Sequence, residues 1–363
     1  MKIVLTADIH LGLPNKLDDI LYSLSCVRKY MYDRDIENMF VLGDLFHNRS
    51  VMAIDVMNRS YEFFKATKNI YNQSVYAFPG NHDMWARNSW SINSLRTFAD
   101  VINIINDVVL MKMGEQIFCI IPFIHYEEVY MKVLNNVVKK LNKADVILTH
   151  IGVNGATLNE CFLLKNWNIV DFTNIPNKVY TGHFHCHQQV GSNLWYPGSQ
   201  IPFRFDEGSV DHGFIVFDTE TGTHEFVKIA DCEPEPAFAS QKRPPDYLTI
   251  VDDMIGDMDR KTVFNNHIRI SLKRDYVHDE MVVIKQKFLD LGARNISFMK
   301  SKINEIDMAK IQSVSTNNPA NLLKKWFDYD KPDHIKYEKL SDINEGIMAE
   351  GNEKFIVSEI EDA

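Results

Sequence analysis

From the first residue to about Lys228, short apolar runs alternate with longer stretches whose apolar positions recur at helical spacing. The runs are Ile3–Thr6, Phe40–Leu42, Val75–Phe78, Ile117–Ile121, Val146–Thr149, Val179–Thr181 and Phe214–Phe217. Between them, Leu17–Met31, Met52–Ala66 and Val129–Leu141 have the length and period of amphipathic helices. That alternation predicts a layered α/β domain over residues 1–230. The stretch Asp231-Cys232-Glu233-Pro234-Glu235-Pro236, followed by Pro244-Pro245, reads as a linker over 231–246. Beyond it, Tyr247–Val251, His267–Leu272 and Asn295–Met299 are strand-like and Glu280–Leu291 helix-like, which predicts a small α+β domain over 247–315. A helical segment with an acidic end is expected over 316–363, from the amphipathic stretch Asn321–Tyr329 and a weaker one near Leu340–Met348.

Composition narrows the class. At 363 residues, 45% hydrophobic and 24% charged, the chain reads as a soluble globular protein with more than one core. The longest clean apolar run, Ile117–Ile124, is far too short to span a bilayer, so no membrane association is expected. Met1–Asp8 shows no cleavage-site pattern, and no signal peptide is expected. Cys26, Cys119, Cys161, Cys186 and Cys232 form no CxxC pair and read as reduced thiols of a cytoplasmic protein. The formal charge of −10 is uneven, with eight acidic and two basic residues between Glu338 and Ala363. The remaining body is near neutral, so charge neither supports nor excludes a nucleic-acid partner.

Five of the apolar runs end in residues that can ligate metal. Ile3–Ala7 leads into Asp8 and His10, Phe40–Leu42 into Asp44 and His47, and Val75–Phe78 into Asn81 and His82. Val146–Thr149 leads into His150, and Val179–Thr181 into His183 and His185. Ligands of open α/β sheets collect where the carboxyl ends of strands converge. The pairs Asp8/His10 and His183/His185 are two residues apart, which in an extended segment sets both side chains on one face. Asp8, His10, Asp44, Asn81, His150, His183 and His185 offer carboxylate, imidazole and amide donors without thiolate, a set suited to Mn²⁺, Fe²⁺ or Zn²⁺. A carboxylate shared by two ions would hold them about 3.5–4 Å apart, poised to activate water and polarise a phosphoryl group. His82, beside a ligand yet itself unassigned, is placed to protonate a leaving oxygen. One Asp or His after a strand is ordinarily a cap or a satisfied core residue; it is the joint pattern that predicts a metal site. The glycines beside Asp44, Asn81 and His183 fit simple turns. His187, His125 and Cys186 read as structural, and the Trp326-Phe327 stripe as core or as a partner-helix surface.

The order D-x-H, GD, GNH, H, GHxH resembles the calcineurin-like metallophosphoesterase superfamily, here at Asp8–His10, Gly43–Asp44, Gly80–His82, His150 and Gly182–His185. Gly43-Asp44-Leu45-Phe46-His47, Gly80-Asn81-His82-Asp83, Gly182-His183-Phe184-His185 and the run from Tyr196 to Glu207 resemble its SbcD branch, which includes the meiotic-recombination-eleven nucleases. The resemblance spans residues 8 to about 207, and it departs from the branch at Asn48-Arg49-Ser50, where Pro-Ser often stands. It implies an α/β (α+β) fold: a four-layer metallophosphoesterase sandwich of two mixed β-sheets flanked by helices, a small α+β DNA-capping domain and a C-terminal helical tail that binds an ATPase partner. It implies one ion on Asp8, His10, Asp44 and His185, and a second on Asp44, Asn81, His150 and His183. His82 would be the catalytic histidine and His47 its supporting or substrate-positioning neighbour. The cofactors would be two divalent metal ions, Mn²⁺ first, with Mg²⁺, Fe²⁺ or Zn²⁺ as alternatives. The activity would be exonuclease and endonuclease cleavage of DNA. The partner would be an SMC-like ATPase of the SbcC type, bound by a homodimer within a heterotetramer, in the cytoplasm of a bacterial cell, with the chain encoded by the cell or by a phage. His47 stands where phosphoprotein phosphatases carry Asp, which argues against that branch. The alternatives are a metallophosphodiesterase of small substrates or cyclic nucleotides, and a non-catalytic scaffold for the ATPase.

Overall fold

A computed structural model describes residues 1–86, 92–141, 144–159, 162–163 and 177–300. The helical segment expected over 316–363, with Trp326 and Phe327, lies outside the described residues, as do residues 301–315 and Cys161. In chain order the first strands are β1 (Lys2–Thr6), β2 (Asn38–Val41), β3 (Ser74–Ala77), β4 (Asn103–Ile104), β5 (Val109–Met113) and β6 (Gln116–Ile121). They are followed by β7 (Val146–His150), β8 (Thr157–Asn159), β9 (Phe162–Leu163), β10 (Lys178–Gly182), β11 (Gln188–Val190) and β12 (Leu194–Tyr196). The last are β13 (Gly213–Asp218), β14 (His224–Lys228), β15 (Tyr247–Val251), β16 (His267–Leu272) and β17 (Asn295–Lys300). The helices are α1 (Leu17–Tyr32), α2 (Ile54–Asn69), α3 (Glu127–Leu141), α4 (Arg260–Val263) and α5 (His278–Asp290).

Two six-stranded mixed sheets form, in the orders β14-β13-β1-β2-β3-β4 and β11-β12-β10-β7-β6-β5. β1 shows how one strand serves two cores. Val4 joins a cluster with Ile20, Leu24 and Val27 of α1 and Phe63 and Phe64 of α2. Ile3 and Leu5, on its other face, join Phe118, Ile120, Leu148 and Tyr180 of the second sheet, because successive side chains of a strand point to opposite faces. On the far side of that sheet, Tyr130 and Leu134 of α3 pack with Ile147 and Val179. The result is helix, sheet, sheet, helix, the four layers expected. Strands buried on both faces explain why β1, β2, β7 and β10 are nearly continuous apolar runs.

After the second sheet, β15, β16 and β17 form a parallel three-stranded sheet. Its core joins Ile250, Ile268, Ile270 and Ile296 to Phe288 of α5. The segment read as a linker is fastened to the first domain. Glu235 is 3% exposed and pairs with buried Arg28 of α1, whose Nη2 donates to its Oε2 at 2.7 Å, while Tyr71 Oη donates to the same carboxylate at 2.8 Å. Glu235→Ala leaves the Arg28 charge buried without a counterion, which is expected to cost about 3–5 kcal/mol. Urea denaturation monitored by tryptophan fluorescence reads this as a lowered midpoint. Among the described residues, no helix is long and apolar enough to cross a membrane.

Candidate metal centre

The parallel strands deliver the ligand-type residues to one place. Asp8 follows β1, Asp44 follows β2 and Asn81 follows β3, all at the carboxyl ends of neighbouring parallel strands. His150 ends β7 and His183 follows β10, two parallel strands of the other sheet that pair Gly182 with His150. The two sheets thus converge their carboxyl ends on a single crevice.

How Asp8 and His10 reach it differs from the expected extended pairing. Asp8 (φ 51°), His10 (φ 54°), Asp44 (φ 52°) and His183 (φ 107°) all carry positive φ. The chain therefore turns sharply at each of these residues, and the turn, not strand alternation, brings their side chains together. Left-handed backbone at non-glycine residues is costly and concentrates at functional sites. The neighbouring glycines are also more than turn residues. A Cβ on Gly80 would collide with the amide nitrogen and carboxylate of Asp44, and one on Gly182 with the Leu42 carbonyl and the ring of His150.

The polar contacts gather the residues into three overlapping groups. Ligating atoms of Asp8, His10 and His185 lie within 4.8 Å of one another, as do those of Asp8, Asp44 and His150 and those of His10, His47 and His82. Asp44 Oδ2 is 3.4 Å from His150 Nε2 and 3.9 Å from His10 Nε2. Asn81 Oδ1 is 3.1 Å from His150 Nε2 and 2.9 Å from His183 Nδ1. His82 and His47 sit at the rim: the His82 amide donates to Asp44 Oδ1 at 2.8 Å, and His47 Nδ1 is 3.3 Å from His10 Nδ1.

The hydrogen-bond inventory tests whether a cation fits. His150 Nδ1–H donates to the Leu42 carbonyl at 2.8 Å, so the Nε2 of the neutral ring is a lone pair. That lone pair faces the Asp44 carboxylate and the Asn81 carbonyl, both acceptors. Likewise, His185 Nδ1–H donates to Glu207 Oε1 at 2.9 Å, which leaves its Nε2 lone pair 3.2 Å from His10 Nε2. At His150, acceptors facing acceptors in a buried site call for a proton or a cation between them. Ring nitrogens about 3 Å apart also match imidazoles sharing an ion at ~2.0–2.1 Å.

Charge points the same way. Burial pushes the Asp8 carboxyl up to about 6 and the His183 ring down to about 3. Burial also opposes a charge on Asp44, but His150 beside it outweighs this and holds the carboxyl well below its usual range. His150, disfavoured as a cation by burial, is in turn lifted to about 9 by Asp44. A cation bound between them would displace any proton the pair shares.

The family model for calcineurin-like phosphoesterases matches residues 1–187. The chain belongs to the calcineurin-like phosphoesterase family. As such a phosphoesterase it is a hydrolase of a family that uses a dinuclear divalent-metal site. It is 25% identical over 248 residues to the protein named phosphoesterase 244L of Invertebrate iridescent virus 6, covering 63% of this chain and 82% of that one. Two solved structures are also similar to it. The nuclease MPE of Pseudomonas putida is 16% identical, over 53% of this chain and 66% of that one, at a TM-score of 0.29. GAP50, the anchor in the inner membrane complex of Plasmodium, is 12% identical, over 84% and 98%, at 0.39.

Two carboxylates of this phosphoesterase have roles that the motifs did not assign. Asp83, buried, accepts amide hydrogen bonds from Phe46 at 2.9 Å, Gly80 at 3.0 Å and Leu45 at 3.2 Å. It ties the loop of Asp44 to the loop of Asn81 and His82. Burial, reinforced by Asp44, pushes its carboxyl up to about 7. Glu207, 1% exposed, orients His185 and is anchored by the Phe203 amide at 2.8 Å. The sequence places both inside quoted runs, and only the fold shows them buried. His187 lies apart from the ligand groups: its Nδ1–H donates to the Tyr196 carbonyl at 2.8 Å and its ring stacks on Phe226 at 3.7 Å. Cys186 is a buried thiol.

Proposed function

We propose that this phosphoesterase is a divalent-metal-dependent phosphodiesterase that cleaves DNA, of the SbcD type, with Mn²⁺ as its working ion. The observation that carries the hydrolytic part is the convergence of potential ligating atoms from Asp44, Asn81, His150, His10 and His185. One ion is assigned to Asp8, His10, Asp44 and His185, and the second to Asp44, Asn81, His150 and His183. When bound, such ions supply Lewis-acid stabilisation of charge on the phosphoryl oxygens and lower the pKa of a coordinated water. The protein's own groups do the rest. His82 Nδ1–H donates to the His47 carbonyl at 2.7 Å, which leaves Nε2 as the atom that carries a proton to and from substrate. As the phosphorus–oxygen bond breaks, that proton passes to the departing sugar oxygen. Were His10 to hold an ion through Nε2, its Nδ1–H would donate to His47 Nδ1, 3.3 Å away, and His47 would keep Nε2–H as a donor for a phosphoryl oxygen.

The DNA assignment is supported by the wording of the motifs from Asp44 to Glu207 and by the position of His47. It is also supported by the extra three-stranded sheet, surface that a small phosphodiester does not need. In the same reading the chain works as a cytoplasmic homodimer with an SMC-like ATPase of the SbcC type. The test is incubation of the purified full chain with Mn²⁺ and linear duplex or single-stranded DNA, alongside bis-p-nitrophenyl phosphate. The expected result is cleavage of all three, abolished by EDTA. Hydrolysis of the small diester with DNA left intact, even with the ATPase added, would replace the DNA reading by a small-substrate phosphodiesterase.

A further inference from the structure

The turn at residues 203–208 makes contacts on both of its sides. On one, Glu207 holds His185 at 2.9 Å, and the Phe203 ring stands edge-on to His185 at 5.3 Å and to His10 at 5.7 Å. On the other, Phe205 meets Tyr247 edge-on with ring centroids 5.0 Å apart. The Arg269 guanidinium lies 4.0 Å from the Phe205 centroid, and a Cβ on Gly208 would collide with the Tyr247 carbonyl. Tyr247 opens β15 and Arg269 lies in β16. The turn that orients a metal-ligand candidate is therefore also a seat of the three-stranded sheet. A second anchor lies nearby, where Arg294 Nη1 donates to both oxygens of Asp19 at 3.0 and 3.2 Å.

We propose that Phe205 is a positioning residue: through the 203–208 turn and Glu207, the seating of the three-stranded sheet sets the orientation of His185 and hence the hold on one ion. The proposal rests on His185 being a metal ligand, as assigned above. A carboxylate bonded to the free nitrogen of a ligating imidazole fixes its orientation, and losing it typically costs 10–100-fold in metal affinity. Glu207 can do this only while its turn is fixed. Packed interiors shift between discrete arrangements instead of deforming smoothly, so loosening the Phe205 contact moves the carboxylate with the turn. Linkage makes the coupling reciprocal: ion binding must tighten the seat of the sheet.

Two readouts decide it, neither of them activity. The first is calorimetric titration of the full chain with Mn²⁺ alone, for wild type, Glu207→Gln, Phe205→Ala and Arg269→Ala. Wild type is expected to bind two ions. Glu207→Gln is expected to weaken one of them by about 10–100-fold, Phe205→Ala the same one by roughly tenfold, and Arg269→Ala less, with the other ion unchanged. The second is amide hydrogen exchange at residues 247–251 and 267–272, which Mn²⁺ is expected to slow in wild type but not in Glu207→Gln. Should Phe205→Ala fail to fold, Arg269→Ala and the wild-type exchange decide. Wild-type affinities in both variants, or exchange indifferent to Mn²⁺, would overturn the coupling and leave the metal site standing. A wild-type chain that binds no ion would overturn the metal site and the coupling together.

Discussion

Asp44→Asn is expected to remove both the binding of ions and the hydrolysis of phosphodiesters. Asp44 Oδ2 lies between the His10 and His150 nitrogens, at 3.9 and 3.4 Å, so its charge serves both assigned ion positions at once. An amide keeps the shape but withdraws the negative charge that offsets two cations in a fully buried position. The several kcal/mol of charge stabilisation that bound ions provide correspond to a rate loss on the order of a thousandfold or more. Thermal denaturation gives an independent readout. Mn²⁺ should raise the wild-type midpoint, because a ligand that binds the native state stabilises it, and should leave the midpoint of the Asp44→Asn variant unmoved.

His82→Ala is expected to separate chemistry from metal binding. The His82 ring is outside both groups assigned to the ions, and its Nδ1 is committed to the His47 carbonyl. Only its amide touches Asp44, and alanine retains that amide. Mn²⁺ affinity should therefore stay at the wild-type level, while turnover falls about 10²–10⁴-fold, the usual contribution of a positioned acid. The loss should be smallest for bis-p-nitrophenyl phosphate, whose leaving group departs without protonation. Equal losses on both substrates would move His82 from proton donor to charge stabiliser.

The parts of this molecule that could be read from its sequence are those buried on both sides. β1, β2, β7 and β10 stand out because a strand between two packed faces must be apolar throughout, and each ends where its ligand begins. The edge strands were not legible. β5 and β14 have no fully buried residue, and a strand facing solvent carries the same mixed residues as a loop. At the site, the acids and histidines that meet in the crevice follow apolar runs in the sequence, in the blocks D-x-H, GD, GNH, H and GHxH. The route by which Asp8 and His183 reach the centre was not legible, since left-handed backbone at a non-glycine residue leaves no mark in the sequence. Glu207 was hidden for a different reason: its partner His185 is far along the chain, and only the fold brings them together.

Anomalous diffraction from crystals grown with Mn²⁺ would show whether a pair of ions sits on either side of Asp44. Two manganese peaks are expected, one among Asp8, His10 and His185 and the other among Asn81, His150 and His183, both bordering the Asp44 carboxylate. A single peak, or none at those residues with manganese present elsewhere, would contradict the two-ion assignment.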